Sequence, residues 1–303
     1  MGQGTDQGTR SGRRRARAAL AALAAAVMGV TGCDAVGGDS AGPSGSPSKR
    51  PRPAPVWDTT PASVAAVGDS ITRGFDACMV LSDCPEVSWA TGSRAEVGSL
   101  AVRLLGKTRA AERSWNYAVT GARMADLTGQ VARAAARRPE LVTVMVGAND
   151  ACRETASAMT PVPDFRTQFE EAMAALRRSL PKAQVYVASI PDLKRLWSEG
   201  RTNPLGKQVW KLGICPSMLG DADSMDSAAK LRRNTVRERV EDYNEVLREV
   251  CAKDLRCRTD DGAVHEFRFG TDQLSRWDWF HPSVDGQARL AEIAYRAVTA
   301  EQP

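Results

Sequence analysis

The chain has 303 residues, seven cysteines and a formal net charge of +5. That charge comes from the N-terminus, because residues 1–32 hold five arginines against Asp6 and residues 33–55 add one further positive charge. The rest of the sequence is close to neutral, which excludes the basic surface that nucleic-acid binding requires. Residues 61–303 are numerous enough to form one domain with a substantial core.

The first predicted element is an export signal. Five arginines between positions 10 and 17 precede an apolar stretch at 18–30, which is too short to span a bilayer comfortably. The stretch ends in Val30-Thr31-Gly32-Cys33, which resembles the lipobox of bacterial lipoproteins. The resemblance implies cleavage after residue 32, lipidation of the Cys33 thiol and anchoring at the outer face of the cell membrane. An ordinary secretory signal is the alternative, and Sec or twin-arginine export are both open.

Residues 33–60 are rich in Gly, Ser and Pro and show no apolar periodicity. This composition predicts a flexible tether between Cys33 and the domain at 61–303.

An odd number of cysteines in an exported chain needs an explanation. If Cys33 carries lipid, six cysteines remain, and these can form three disulfides in an oxidising compartment. Fifteen connectivities are open. Short spacings favour Cys78–Cys84 and Cys251–Cys257, which leaves Cys152–Cys215. Zinc binding is disfavoured because the sequence has no CxxC pair and only two histidines.

Buried strands are predicted at four apolar runs, which are residues 64–67, 115–119, 141–146 and 185–190. Their near-continuous hydrophobicity is typical of parallel strands covered on both faces. Helices are predicted between and after them: one capped by Asp164 and ending before Pro181, one around 236–250, and a last one at 284–298. This alternation predicts an α/β fold with three layers and a mainly parallel central sheet.

Two connections, 75–93 and 192–225, are too long for simple links between elements and are predicted to be ordered functional loops. The second loop contains Trp197 and Trp210. These side chains either bind a lipid tail or a sugar face, or form a satellite hydrophobic cluster.

Four polar blocks lie at the strand ends or before the last helix, where ligands bind in open α/β sheets. They are Gly68-Asp69-Ser70-Ile71-Thr72, Asn116-Tyr117-Ala118-Val119-Thr120-Gly121-Ala122, Val146-Gly147-Ala148-Asn149-Asp150 and Trp277-Asp278-Trp279-Phe280-His281-Pro282-Ser283. The hydroxyl of Ser70 can act as a nucleophile if His281 removes its proton and Asp278 orients the imidazole. The two tryptophans that flank Asp278 are expected to pack the site or to line an acyl pocket.

In this order, over nearly the whole domain, the blocks resemble the SGNH hydrolase superfamily of GDSL esterases and lipases. The resemblance implies a flavodoxin-like three-layer α/β/α sandwich with a five-stranded, mainly parallel sheet. It implies that Ser70 is the nucleophile, His281 the general base and Asp278 its carboxylate partner. The backbone N–H groups of Ser70 and Gly121 and the side-chain amide of Asn149 would form the oxyanion hole. Hydrolysis of carboxylic esters, in a lipid or an acylated glycan, would need no metal or organic cofactor.

Each block alone has a simpler structural explanation, such as a turn at Ser70, positive φ at Gly121 or a helix cap at Ser283. Thr72 stands where the G-x-S-x-G elbow of α/β-hydrolases has glycine, so that motif is absent. His265 is interpreted as structural. The Cys251–Cys257 disulfide is expected to brace the loop before the last helix. The occurrence of all four blocks in order favours a hydrolase.

Three alternatives remain at this stage. A polysaccharide O-acetyl esterase would use the same fold, and a non-catalytic surface lipoprotein would bind glycan or lipid there. A metallophosphoesterase is weakly suggested by the acidic residues after Gly68 and Asn149, but two histidines are too few for its usual dinuclear site. A monomer without nucleic-acid partners is the expected state.

Overall fold

Five parallel strands form the centre of the fold, in the order β2-β1-β3-β4-β5. The computed structural model describes residues 57–301, so the export signal, Cys33 and most of the tether lie outside the described residues. The strands are β1 Val64–Gly68, β2 Ser114–Asn116, β3 Leu141–Met145, β4 Gln184–Val187 and β5 Cys257–Thr259. The α/β class with a five-stranded parallel sheet is therefore confirmed.

Burial distinguishes the three central strands from the two edge strands. Strand β2 was predicted at 115–119, but it spans Ser114–Asn116 and is only half-buried. Every residue of β1, β3 and β4 is buried, as expected for strands covered on both faces. The edge strand β5 is Cys-Arg-Thr and is only half-buried, so it carries no apolar run that would reveal it in the sequence. It is recognised in the structure by its parallel pairing with β4, in which Val185 lies opposite Cys257.

Helices flank the sheet in two groups, one containing α4, α6 and α10 and the other containing α2 and α12. The helices are α1 Ser70–Arg73, α2 Leu100–Leu105, α3 Lys107–Arg113, α4 Leu127–Ala135, α5 Ala148–Ala151, α6 Val162–Ser179, α7 Leu193–Gly200, α8 Pro204–Trp210, α9 Pro216–Leu219, α10 Ser227–Ala252, α11 Ala263–Glu266 and α12 Val284–Thr299. None of the helices in the described residues is long and apolar enough to cross a membrane.

Helix α6 begins three residues earlier than predicted, at Val162 with Pro161 as its cap, so Asp164 lies in its first turn. A carboxylate is favourable there because it faces the positive end of the helix dipole. Helix α10 packs against α6, and the ring of Tyr243 stacks on that of Phe165 with centroids 4.0 Å apart. Helix α12 starts at the predicted place, where the Ser283 hydroxyl accepts a hydrogen bond from Gly286 N.

The prediction that residues 192–225 form one long loop is wrong, because this ordered segment contains the three short helices α7 to α9. Asp192 and Asn203 cap the first two of them by accepting hydrogen bonds from backbone N–H groups. Trp197 and Trp210 are buried beneath these helices. They therefore form the hydrophobic cluster that was the alternative to an exposed ligand-binding surface.

Three disulfides are present within residues 57–301, and they are the pairs that the cysteine spacing favours: Cys78–Cys84, Cys152–Cys215 and Cys251–Cys257. The third joins the end of α10 to the first residue of β5, at the amino end of that strand. The polar blocks follow the carboxyl ends of the strands, at the opposite edge of the sheet. The expectation that Cys251–Cys257 braces the loop containing Asp278 is therefore wrong.

The Cys152–Cys215 disulfide closes the longest loop of the three, with a sequence separation of 63. We expect the paired change Cys152→Ser and Cys215→Ser to lower the free energy of unfolding by roughly 2–4 kcal/mol, because the unfolded chain loses a long-range constraint. Urea unfolding of parent and variant measures this difference. The Cys78–Cys84 disulfide closes a much shorter loop, so the paired change Cys78→Ser and Cys84→Ser should lower the free energy of unfolding by less. An equal or larger loss would contradict this explanation.

Candidate active site

Ser70 begins helix α1, directly after the carboxyl end of β1. Asp69 caps this short helix, since its Oδ1 accepts a hydrogen bond from Ile71 N at 3.0 Å. Gly68 has φ of 151°, and a Cβ atom on it would overlap the carbonyl oxygen of Met145 on β3. The turn that presents the Ser70 hydroxyl therefore requires glycine two residues before it.

Two buried glutamines hold the backbone on either side of Ser70. The Gln130 side chain, on α4, accepts from Gly68 N at 2.7 Å and donates to Gly68 O at 2.9 Å. The Gln287 side chain, on α12, donates to Ile71 O at 2.8 Å. Neither was singled out from the sequence, because a glutamine in an amphipathic helix is ordinarily a surface residue. They fix the serine turn from two helices that are distant in sequence.

A continuous chain of hydrogen bonds joins Ser70, His281 and Asp278. The Oγ of Ser70 lies 2.9 Å from Nε2 of His281, and Nδ1 of His281 lies 2.5 Å from Oδ2 of Asp278. The other oxygen of Asp278 accepts from the backbone N–H groups of Phe280 and His281, at 2.9 and 3.0 Å. Because Asp278 is fully buried and held by these bonds, it fixes the plane and the tautomer of the imidazole.

The charges around His281 favour its protonated form. Burial alone would lower the pKa of His281, but Asp278, Asp76 and Asp69 raise it, and the net direction is upward. Burial acts to raise the pKa of Asp278, but the attraction of His281 and the hydrogen bonds it receives outweigh this, so the net direction is downward. An imidazole with this surrounding can accept the proton of Ser70 and hold it next to a carboxylate that stays ionised.

The predicted oxyanion-hole residues lie on the two neighbouring strand ends. Gly121 has φ of 84°, and Asn149 lies in α5 after β3. The Asn149 amide donates one N–H to Ala122 O at 3.0 Å, which ties the two loops together and leaves its second N–H available. Within residues 57–301, the backbone N–H groups of Ser70 and Gly121 make no hydrogen bond to the protein. These donors are therefore free to receive a negatively charged oxygen.

The other residues that the sequence singled out have structural contacts. His265 lies on α11, where its Nδ1 is 2.9 Å from Ile190 O and 3.1 Å from Nδ2 of Asn244. The ring of Trp279 packs against Gly206 of α8, and the guanidinium of Arg276 lies 4.5 Å from the ring centre of Trp277. Trp279 thus packs the loop that carries Asp278 and His281 against α8, whereas the contact of Trp277 is with its own neighbour in the chain.

The structure adds buried carboxyls that the sequence did not reveal as site residues. The pKa of Asp69 is raised to about 7. Burial is the main cause, and it outweighs the hydrogen bond from Ile71 N and the attraction of His281, which both lower the pKa. Asp76 lies close to both Asp278 and His281. No sequence signal points to Asp76, because it sits in a connection whose course depends on the Cys78–Cys84 disulfide.

The donor atoms here do not fit a metal centre. Both ring nitrogens of His281 are occupied, one by Ser70 and the other by Asp278. A cation could bind the ring only by breaking one of these bonds. This is the physical argument against the metallophosphoesterase alternative.

The chain is similar to one protein family and to several solved structures. The profile of the GDSL-like lipase/acylhydrolase family matches residues 64–294. A protein described as a GDSL-like lipase from Parabacteroides merdae superposes with a TM-score of 0.50 and 16% identity, over 81% of this chain and 99% of its own. TesA gives 0.46 and 17% over 78% and 97%, and an extracellular lipase from Streptomyces rimosus gives 0.41 and 19% over 77% and 99%. No curated protein sequence matches the chain. At this level of identity, the structural similarity concerns the fold alone.

Proposed function

The chain belongs to the GDSL-like lipase/acylhydrolase family, and from that we propose that it is a serine esterase that hydrolyses carboxylic esters through an acyl-enzyme. Membership of this family supports an ester hydrolase of some kind, without specifying the mechanism or the substrate. The mechanism is supported by one observation above all, the hydrogen-bonded series Ser70, His281 and Asp278 at the carboxyl edge of the sheet.

In the first half of the reaction, Ser70 Oγ attacks the ester carbonyl carbon while its proton passes to Nε2 of His281. The carbonyl oxygen takes the negative charge, and the N–H groups of Ser70, Gly121 and Asn149 surround it. When this intermediate collapses, the bond between the carbonyl carbon and the alcohol oxygen breaks. His281 then returns its proton to the departing alcohol, which leaves an acyl group on Ser70.

In the second half, water replaces the alcohol. His281 takes a proton from the water as its oxygen attacks the acyl carbon, and the proton goes to Ser70 Oγ when the acid is released. Asp278 keeps its charge throughout and stabilises the imidazolium in both halves, consistent with the lowered direction of its pKa.

The surface beside the site favours a lipid ester over a short acetyl ester. Met79, Val80 and Leu81, here called the apolar tip, are 57%, 48% and 64% exposed within the Cys78–Cys84 ring. Asp83, in the same ring, forms an ion pair with Arg73 of α1 and accepts a hydrogen bond from the Thr120 hydroxyl beside Gly121. Exposed apolar side chains fixed this close to the serine turn can contact an acyl chain. A polysaccharide O-acetyl esterase is the second candidate, since it would need the same catalytic groups.

The decisive experiment is labelling with a fluorophosphonate, which reacts only with an activated serine. Parent protein should be labelled at Ser70, as identified by peptide mass spectrometry, and a panel of p-nitrophenyl esters of increasing acyl length should be hydrolysed in the presence of EDTA. A folded protein that is not labelled and cleaves none of the esters would favour the non-catalytic alternative. Faster release of acetate from acetylated xylan than of any longer acyl group would favour the second candidate.

Asn149 tests the oxyanion hole separately. We expect Asn149→Ala to lower kcat by about 10²–10³-fold with a small change in KM, because one donor to the developing charge is lost. The matched control is Asn234→Ala, because this asparagine is exposed on α10, its side chain accepts a hydrogen bond only from Lys194 within residues 57–301, and its loss should leave kcat unchanged. If kcat of Asn149→Ala equals that of the parent, this amide does not stabilise the transition state.

We also infer that the protein is exported and anchored through Cys33. The support is the sequence pattern at 18–33 together with three disulfides, which form and persist in oxidising compartments. Metabolic labelling with a fatty acid should mark the parent protein and not the Cys33→Ser variant. Equal labelling of both would remove the lipid anchor from the proposal.

A further inference from the structure

Asp76 connects two segments that meet at the active site. Its backbone has φ of 57°, in the left-handed region. Its N–H donates to Ser82 O at 3.0 Å, within the Cys78–Cys84 ring, and its carbonyl accepts from the Ser275 hydroxyl at 2.6 Å, three residues before Asp278. This backbone conformation is therefore held from both sides.

The carboxyl group of Asp76 lies close to both the His281 imidazole and the Asp278 carboxylate. One oxygen of Asp76, one of Asp278 and a ring nitrogen of His281 all lie within 4.8 Å of one another. The Oδ1 of Asp76 accepts a hydrogen bond from Leu81 N. Its Oδ2 is buried and has no hydrogen-bond partner among residues 57–301. Asp76 is 1% exposed and Asp278 is not exposed at all.

Two buried carboxyls at this separation do not readily both carry a charge, because neither is solvated and each repels the other. The neighbours make the pair unequal. Asp278 has three donors directed at it, including His281, so it keeps the charge. Asp76 receives only one hydrogen bond within residues 57–301, from Leu81 N. A proton on its Oδ2 could therefore be donated to the Asp278 carboxylate, which would give this buried oxygen a hydrogen-bond partner.

We propose that Asp76 is a positioning residue of the active site, which acts through Asp278 by donating a hydrogen bond when protonated and strengthens proton binding at His281 when ionised. The inference rests on the proposed function only in that His281 serves as the base. Burial, and after it the charge of Asp278, raises the pKa of Asp76 to about 6.

The sign of the effect on His281 follows from the charges that face it. These are Asp278, Asp76 and Asp69, and Asp69 in turn faces Asp150. The uncharged groups at the imidazole include the Ser70 hydroxyl and the rings of Phe75 and Phe280. As pH rises through the pKa of Asp76, a second negative charge appears beside the imidazole. That charge raises the pKa of His281, so the base becomes available only at higher pH than it would without Asp76.

The main test is Asp76→Asn, which has no charge but keeps an oxygen for Leu81 N and provides an N–H donor towards Asp278. The acid limb of kcat/KM should move to lower pH by about half a unit or more, while kcat on the plateau stays within about three-fold of the parent. Asp76→Ala removes both hydrogen bonds, and its kcat should fall by about ten-fold with KM unchanged. Asp272, an exposed carboxylate in the short turn at Thr271–Gln273 that leads to Asp278, supplies the control, and Asp272→Asn should leave the profile where it was.

A measurement that needs no substrate separates this inference from the proposed function. The chain has two histidines, so an NMR titration of the imidazoles is simple, and His265→Gln assigns the signals. The pKa of His281 should fall in Asp76→Asn. If this shift occurs in a protein that hydrolyses no ester, the proposed function fails while the role of Asp76 at His281 stands.

Identical His281 titration and pH profile in the parent and Asp76→Asn would overturn the inference and make Asp76 a support for the Leu81 backbone. If Asp76→Asn does not fold, the NMR titration of His281 in the parent protein tests the inference instead. A raised His281 pKa with a second inflection near pH 6 supports the inference. A single inflection at the ordinary histidine value overturns it.

Discussion

Replacing Ser70 with alanine is expected to lower kcat/KM for ester hydrolysis by at least about 10³-fold and to leave the melting temperature almost unchanged. The hydroxyl is the proposed nucleophile, and the only side-chain hydrogen bond it makes within the described residues is to Nε2 of His281. The backbone of the turn is held by Gln130 and Gln287, independently of the hydroxyl. Catalysis and stability should therefore separate cleanly in Ser70→Ala.

Steady-state hydrolysis of p-nitrophenyl esters and thermal unfolding of the same samples measure both effects. Ser157→Ala is a suitable control, because this serine is exposed and its hydroxyl contacts only that of Thr155. The control should match the parent in both measurements. Activity of Ser70→Ala within about ten-fold of the parent would place the nucleophile on another residue.

The second large effect is expected from Asp278→Asn, which should lower kcat by about 10³–10⁴-fold with little change in KM. The asparagine can keep an oxygen towards the N–H groups of Phe280 and His281. Its amide nitrogen then faces Nδ1 of His281 and donates to it. This favours the tautomer with the proton on Nε2, and that nitrogen can no longer accept a proton from Ser70.

Comparing Asp278→Asn with Asp272→Asn separates the orienting carboxylate from the general effect of removing a negative charge. The loss at Asp278 should persist on the high-pH plateau, because it reflects the wrong tautomer rather than a shifted titration. A full recovery of kcat at high pH would instead mean that Asp278 acts only through the pKa of His281.

The arrangement of the polar blocks explains why much of the site could be predicted from the sequence. Ser70 and Asn149 each follow a strand that is buried throughout, so the apolar run and the polar end lie side by side in the chain. Asp278 and His281 lie three residues apart before a well-marked helix start at Ser283. Such local patterns survive in a single sequence because neighbouring residues share one element.

Contacts made across the fold could not be predicted in the same way. Gln130 bonds to Gly68 across 62 residues, and Gln287 bonds to Ile71 across 216. Asp76 lies near Asp278 because hydrogen bonds from the Cys78–Cys84 disulfide ring and from Ser275 together stabilise its backbone conformation. Strand β5 and the helices α7 to α9 were missed because they are short, with three to eight residues each. The contacts of Gln130, Gln287 and Asp76 join residues that are distant in sequence.

The segment from α7 to α9 is joined to both sides of the active site. Cys215, at the start of α9, is bonded to Cys152, which ends the helix containing Asn149. Trp210, at the end of α8, donates its indole N–H to the backbone oxygen of Asp278 at 2.6 Å. A newly made chain in a reducing compartment lacks the first of these connections. If the protein is exported as proposed, we expect full activity only after the disulfide forms outside.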